Sequence, residues 1–528
     1  MTSDGSRFDL YCRWRHALED PFVELDLSHA GLTDADLDRL GPALQQALAA
    51  MQLLEHGAIA NPDEQRMVGH YWLRAPGLAP SDEVQDAIVA TLEHIEQLVR
   101  DVRDGTLAPP GGGRFRRVVL CGIGGSALGP MLLADAFAGG DDGLALCVLD
   151  NTDPDGIDRA LGALGSLADA LVVVISKSGG TPETRNGMLE TQRAFAAQQL
   201  AFARHAVAIT TTGSKLDALA REQGWLVTLP MWDWVGGRTS ITSAVGLLPA
   251  ALLGMDLRAF LAGAAAMDQA TRATDLRRNP AALLAAFWHV QGNGKGERAM
   301  VVLPYKDRLL LLSRYLQQLV MESLGKKVDR RGAVVHQGLA VYGNKGSTDQ
   351  HAYVQQLRDG RHDFFATFVR VLQDRAAPAG GGAAAFEVEA GVTAGDYLDG
   401  FWLGTRQALF ESGRASATLC LEQLDERTLG AVIALFERTV GIYGELIDVN
   451  AYHQPGVEAG KKAAAAVLAR QRRLQAALGT EPRTAAELAA AIDDDPADCW
   501  PILTHLAANG RARRIGAPDP VTARFARA

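Results

Sequence analysis

Little in this chain of 528 residues lends itself to cross-linking, metal capture or membrane insertion. Its five cysteines, Cys12, Cys121, Cys147, Cys420 and Cys499, are odd in number, scattered, and form no C-x-x-C pair. Neither a disulfide framework nor a zinc site is expected from that pattern. No group of His, Asp and Glu has ligand spacing, so no metal is expected either. No apolar stretch reaches the length of a membrane-spanning helix. The first residues carry Asp4, Asp9 and Glu19 where a secretory signal would be apolar. A cytoplasmic protein without a membrane partner is the expectation. Basic excess is missing too: the formal net charge is −10, which removes any global electrostatic case for nucleic acid. An anionic ligand would have to be held by local groups.

What the chain has in quantity is apolar residues, 48% of the total, enough to build the cores of several domains. Residues 25–104 follow an amphipathic helical pattern that stops in the spacer LAPPGGG at 107–113. Beyond it, short apolar runs alternate with helical stretches. RRVVLCG, LALCVLD, LVVVISK, HAVAITT and WLVTLP fall between 116 and 230, followed by AMVVLP at 299–304, GAVVHQG near 335 and DFFATFVRV at 363–371. Such alternation predicts an α/β fold with two doubly wound parallel sheets. The expected divisions are a helical N-terminal segment at 1–110, α/β units at 111–260 and 261–478, and a helical tail at 479–528. A Gly/Ala-rich run, APAGGGAAA at 377–385, reads as a flexible loop in the second unit. The tail resembles a winged-helix pattern, yet positions 496–509 hold no Lys or Arg, and Arg511, Arg513 and Arg514 come after the helix. A DNA-reading helix needs basic residues, so no nucleic-acid partner is expected.

Residues 171–186, LVVVISKSGGTPETRN, carry the first chemical signal. A β-branched run, as in a strand covered on both faces, ends in Ser176, Lys177, Ser178 and Thr181 around two glycines. Pro182 suits the first turn of a helix, whose N-terminal N–H groups and dipole would aim at the loop. A phosphate monoester fits there. The lysine precedes the glycines, unlike the nucleotide loop G-x-x-x-x-G-K-[ST], which favours a small phosphorylated metabolite over a nucleoside triphosphate. A second motif, with Gly122, Gly124 and Ala127 after a strand and Asp150 further on, satisfies the dinucleotide fingerprint. A nicotinamide-dependent oxidoreductase is one reading of it. The other is that Gly125 and Ser126 offer a second edge to a sugar phosphate.

Six blocks together resemble one family. GIGGSALGP at 122–130, the loop at 176–181, VGGRTSITSAVGLLPA at 235–250, LQQLVMESLGKK at 316–327, GSTDQHAY at 346–353 and QPGVEAGKK at 454–462 are similar, in order and spacing, to blocks of the glucose-6-phosphate isomerases. The resemblance covers roughly residues 60–470. It implies interconversion of glucose 6-phosphate and fructose 6-phosphate on two sugar-isomerase (SIS) type domains in a homodimer. Such chemistry opens a sugar ring and moves a proton between C1 and C2 through a cis-enediol(ate). It needs a base, a cation beside the developing oxyanion, and acid/base help for ring opening, but neither metal nor redox cofactor.

Glu322 is the candidate base, with Gln318 one turn earlier on the same helical face. The competing reading of Glu322 from local sequence alone is a surface glutamate in a helix beside Lys326. Arg238 follows a Gly-Gly pair and would present a planar, permanently charged fork to an enediolate oxygen. His351 titrates near working pH and suits proton transfer at the ring oxygen; the resemblance implies that the partner subunit delivers it. Lys461 is expected to assist His351 in ring opening, and Gln454 to reach the phosphate or nearby hydroxyls. The blocks are those of a divergent member, with Leu319 and Val320 where many relatives carry Gly-Asp and Pro455 where an aromatic residue is common. A sugar-phosphate sensor would need the loop at 176–181 but not Glu322, His351 and Lys461 together.

Overall fold

The computed structural model describes residues 6–137, 143–375 and 386–528, without the side chains of 457–459, 461 and 462. The Gly/Ala run expected as a loop at 377–385 lies outside the described residues. The chain separates into two compact units, Met1–His453 and Gln454–Ala528.

In the first unit, five parallel strands lie in the order Ala145–Leu149, Arg117–Cys121, Ala170–Ile175, Ala206–Thr210, Val227–Pro230. Every residue of Ala170–Ile175 is buried. Leu171, Val173 and Ile175 enter one apolar core while Val172 and Val174 enter another. Strict alternation into two cores is what a strand covered on both faces requires, and it explains the uninterrupted apolar run.

A second, six-stranded sheet runs Arg15–Glu19, Phe22–Asp26, Ser416–Leu421, Phe364–Val371, Ala299–Pro304, Val341–Tyr342. Its last four strands are parallel, and its first two form an antiparallel hairpin joined antiparallel to Ser416–Leu421. The N-terminal segment thus supplies, besides the helices Asp34–Glu55 and Asp82–Asp104, a hairpin that the helical pattern did not reveal. The run GAVVHQG also departs from expectation: Val334–Gln337 pairs with Lys326–Val328 in a separate two-stranded hairpin.

Helices fill the space behind the sheets. Asp34–Glu55, Leu257–Ala270 and Glu426–Leu446 surround a cluster of buried charges. Arg74 donates to both oxygens of Asp268 (2.6 and 2.9 Å) and to Glu437. Arg438 bonds Asp268 (3.0 Å) and Glu55, and Arg272 holds Glu55 at 3.0 and 3.1 Å. Both Arg74 and Arg438 lie over the Tyr71 ring. The second unit has its own core of Leu474, Leu488, Cys499, Leu503 and Phe525. It contains helices Pro455–Ala477, Ala485–Ala491 and Pro496–Ala508 beside a small antiparallel sheet. Asp494 takes Arg470 and Arg473 while Asp495 caps the helix at Ala497, which accounts for the acidic run there.

Candidate active site

The strand order of the five-stranded sheet reverses at one place. Arg117–Cys121 is followed in the chain by its neighbour on one side and later by Ala170–Ile175 on the other, so the segments leaving these two central strands diverge. Ligands of open α/β sheets bind at such a switch point, at the carboxyl ends of the strands. Both glycine motifs leave from there.

The loop at 176–181 is shaped from within. Gly179 has φ +66°, and a Cβ there would come within 2.3 Å of the Leu216 nitrogen, so only glycine fits. Ser176 Oγ donates to Thr181 Oγ1 (3.3 Å) and accepts from the Gly179 N–H (3.1 Å), and Ser178 Oγ accepts from the Gly180 N–H (3.2 Å). The helix Pro182–Ala197 begins with no side-chain cap from Thr181, which leaves its first-turn N–H groups to solvent or an anion. Lys177 is turned away from the loop. Its ammonium donates to the carbonyls of Asp233 (2.9 Å) and Val235 (3.0 Å), tying the loop to the segment that carries Arg238. Burial, and then the charge of Arg66, lowers its pKa to about 8.

Three distant blocks meet at the other end. A Cβ on Gly125 would lie 1.9 Å from the Gly237 carbonyl oxygen; the start of the helix Gly125–Phe137 therefore rests directly on the backbone beside Arg238. Gly124 packs against the Gln318 amide, 3.0 Å from where its Cβ would be. Gln318 and Glu322 lie in a π-helical segment, Gln317–Glu322, that follows the short helix Leu312–Leu316. Wider turns of this kind recur at functional sites because they re-aim side chains. Here Gln318 Nε2 donates to Glu322 Oε2 at 3.1 Å and Arg238 Nη1 reaches the same oxygen at 2.9 Å. Among the described residues no hydrogen bond reaches Oε1. The Arg238 side chain is 5% exposed and that of Glu322 20%. Burial lowers the pKa of Arg238 from the ordinary arginine value, and Glu322 opposes that shift, so the guanidinium stays charged.

One further group enters that sequence reasoning read only as a surface partner of Glu322. Lys326 is buried, and its ammonium donates to the Glu322 carbonyl (2.7 Å) and the His453 carbonyl (3.1 Å). Arg238 Nη2 donates to the carbonyls of Ala451 (3.1 Å) and His453 (3.0 Å). The signal for Lys326 was its place four residues after Glu322, which reads as an exposed helical pair until burial is known.

Among the described residues, no hydrogen bond joins Ser126 or His351 to Glu322. Ser126 lies half-buried in the first turn of Gly125–Phe137. His351 is exposed in the turn Thr348–His351, held from below by buried Asp349, which accepts from Asn344 and Tyr353. Gln454 is exposed and opens the second unit. Lys461 lies in the helix Pro455–Ala477, with its side chain outside the description. Among the described residues no cluster of His, Cys, Asp and Glu could hold a metal ion, and no helix is long and apolar enough to cross a membrane.

Residues 26–384 and 403–487 match a family model described as Phosphoglucose isomerase. The sequence is 57% identical over 506 residues to a glucose-6-phosphate isomerase of Nostoc punctiforme, covering 95% of each chain. It is 56% identical over 510 residues to one of Citrifermentans bemidjiense, again covering 95% of each. Among solved structures, it is similar to a glucose-6-phosphate isomerase from Chlamydia trachomatis (TM-score 0.76, 25% identity, 88% of this chain and 91% of that one). It is also similar to a hypothetical protein from Thermus thermophilus (TM-score 0.71, 29% identity, 85% and 100%).

Proposed function

The chain belongs to the phosphoglucose isomerase family, and from that premise we propose how its residues carry out the reversible conversion of glucose 6-phosphate to fructose 6-phosphate. Ser176, Ser178 and Thr181, with the first turn of Pro182–Ala197, hold the phosphate, and Lys177 adds positive charge from beneath. Gly125 and Ser126 border the sugar, and Gln454 reaches toward the phosphate end. With the phosphate fixed, C1 and C2 lie against Glu322, and positioning of this kind supplies much of the rate. After His351 and Lys461 have opened the ring, the Glu322 carboxylate takes the proton from C2. The electron pair moves into an enediolate, stabilised by the Arg238 guanidinium. Glu322 then returns the proton to C1, while the hydroxyl proton of O2 is lost and one is gained at O1. No electron leaves the substrate, so the glycine motif at 122–127 serves the sugar and not a nicotinamide.

The observation that supports this reading best is the joint hold of Gln318 and Arg238 on Glu322 Oε2. It sets the carboxylate's orientation and leaves the other oxygen for a proton. His351, exposed here, comes in our reading from the second subunit of a homodimer. Sugar phosphates carry charge that membranes retain, which supports a cytoplasmic location.

The test is turnover of fructose 6-phosphate by the purified protein against Glu322→Gln, where loss of a positioned base should cost on the order of 10²-fold or more. Equal rates would overturn the assignment of the base. Mixing Glu322→Gln with His351→Asn tests the dimer. Random exchange of a twofold assembly should restore roughly a quarter of wild-type activity from one intact site in each mixed pair. Absence of any gain after verified subunit exchange would place His351 in its own subunit's site.

A further inference from the structure

Glu322, Arg238, His453 and Lys326 form a closed ring of contacts. Arg238 Nη1 holds the Glu322 carboxylate at 2.9 Å, and its Nη2 donates to the His453 carbonyl at 3.0 Å. Lys326 Nζ shares that carbonyl at 3.1 Å and closes the ring on the Glu322 backbone carbonyl at 2.7 Å. Three chain segments that are remote in sequence are thereby locked: the turn Gly237–Thr239, the end of the π-helical segment Gln317–Glu322, and residues 451–453. The place where Lys326 attaches is telling. A helix end leaves carbonyls without intrahelical partners, and only Ser323 and Leu324 continue the helix beyond Glu322 before it stops at Gly325. A buried ammonium is an expensive substitute for solvent. Lys326 is only 5% exposed, and its pKa is lowered to about 7 by burial and then by Arg238. Among the described residues, no hydrogen bond joins its amine to the Glu322 carboxylate, so it does not share the base's proton directly.

The geometry points to Lys326 as a positioning residue that fixes the backbone of the base, so that Glu322 keeps one orientation while it carries a proton from C2 to C1. The inference rests on the reading of Glu322 as base. It concerns a step that stability alone does not report: a proton held on a rigid carboxyl returns to the same substrate, whereas one on a loosened carboxyl has time to exchange with water.

The experiment uses the full chain and glucose 6-phosphate deuterated at C2. Lys326→Met removes both donors at nearly constant volume. We expect kcat to fall on the order of 10-fold or more, since small misplacements of reacting groups are costly. KM should stay within about twofold because the phosphate loop is untouched. Deuterium retained at C1 per turnover should fall below the wild-type value. Unchanged kcat and retention would overturn the inference, and so would a lower kcat with wild-type retention, which is what a purely structural lysine gives. If Lys326→Met does not fold, Lys326→Gln, which keeps an amide donor, is read by the same two measurements and should lie between Lys326→Met and wild type. Glu322→Gln separates the two levels: full activity there removes the base itself, whereas an inactive Glu322→Gln beside an unaffected Lys326→Met removes only the role of Lys326.

Discussion

The Arg74–Asp268–Arg438 cluster and the Arg238–Glu322 pair are built from the same two chemical groups and differ in how completely those groups are used. Asp268 has both oxygens taken, by Arg74 at 2.6 and 2.9 Å and by Arg438 at 3.0 Å, and its side chain is 0% exposed. Burial opposes its ionisation, but the two arginines outweigh burial and hold its pKa below the ordinary carboxylate value. Glu322 has its two donors converging on a single oxygen and remains one-fifth exposed. A carboxylate saturated with donors binds helices together, whereas one held by a single oxygen can still receive a proton. Glu437 falls between them. It has a bond from Arg74, but its buried Oε1 has no partner among the described residues. Burial, only partly offset by Arg74, pushes its pKa up to about 7.

The contrast can be broken by mutation. Arg74→Met strands Glu437 in the core and leaves Asp268 with Arg438 alone, and breaking a buried pair in this way costs about 3–5 kcal/mol. Denaturant unfolding should show that loss, with the folded fraction keeping near-normal KM. Arg238→Met should do the reverse. Removal of a donor to a developing oxyanion costs on the order of 10² in kcat, with a much smaller change in unfolding midpoint because Glu322 is open to water. An equal loss of stability in both variants would erase the distinction.

Next comes pH. A carboxyl raised from 4.5 to about 7 binds its proton more tightly folded than unfolded, so unfolding releases protons in that window and stability falls as pH rises through it. The slope from one such group is at most about 1.4 kcal/mol per pH unit. Glu437→Gln should flatten the stability profile between those values, and an unchanged slope would show that Glu437 is already ionised. The smallest effect is expected at Lys177. An ammonium lowered to about 8 loses its charge just above neutrality. KM for fructose 6-phosphate should therefore rise a few-fold between roughly pH 7 and 9, and Lys177→Gln should abolish that rise.

Much of the site was legible in the sequence because its blocks are local. The run 171–175 announced a doubly covered strand, and the serines, glycines and Pro182 behind it announced a loop opening a helix. Spacing put Gln318 and Glu322 on one helical face, but the contacts of Gln318 and Arg238 with the Glu322 carboxylate are seen only in the structure. What could not be read depends on long-range pairing. The hairpin at 15–26 has short strands whose partner is Ser416–Leu421, so its local pattern carries no sign of a sheet. Val334–Gln337 has the composition of a core strand yet pairs in a small outlying hairpin. Arg74, Asp268 and Arg438 are ordinary charged residues in sequence, and only packing shows that they neutralise one another. Lys326 escaped for the same reason.

The hairpin has a consequence for how the protein is made. Phe22–Asp26 is made well before its second neighbour, Ser416–Leu421, which is the last strand of that sheet to be synthesised. At roughly 5–20 residues per second the interval is on the order of tens of seconds. Throughout it, Val23 and Leu25, fully covered in the finished molecule, stand on an open strand edge, the kind of surface that pairs with other chains. The first unit cannot close its sheet in halves, and a chain arrested before residue 416 would leave the edge of Phe22–Asp26 without the strand that covers it.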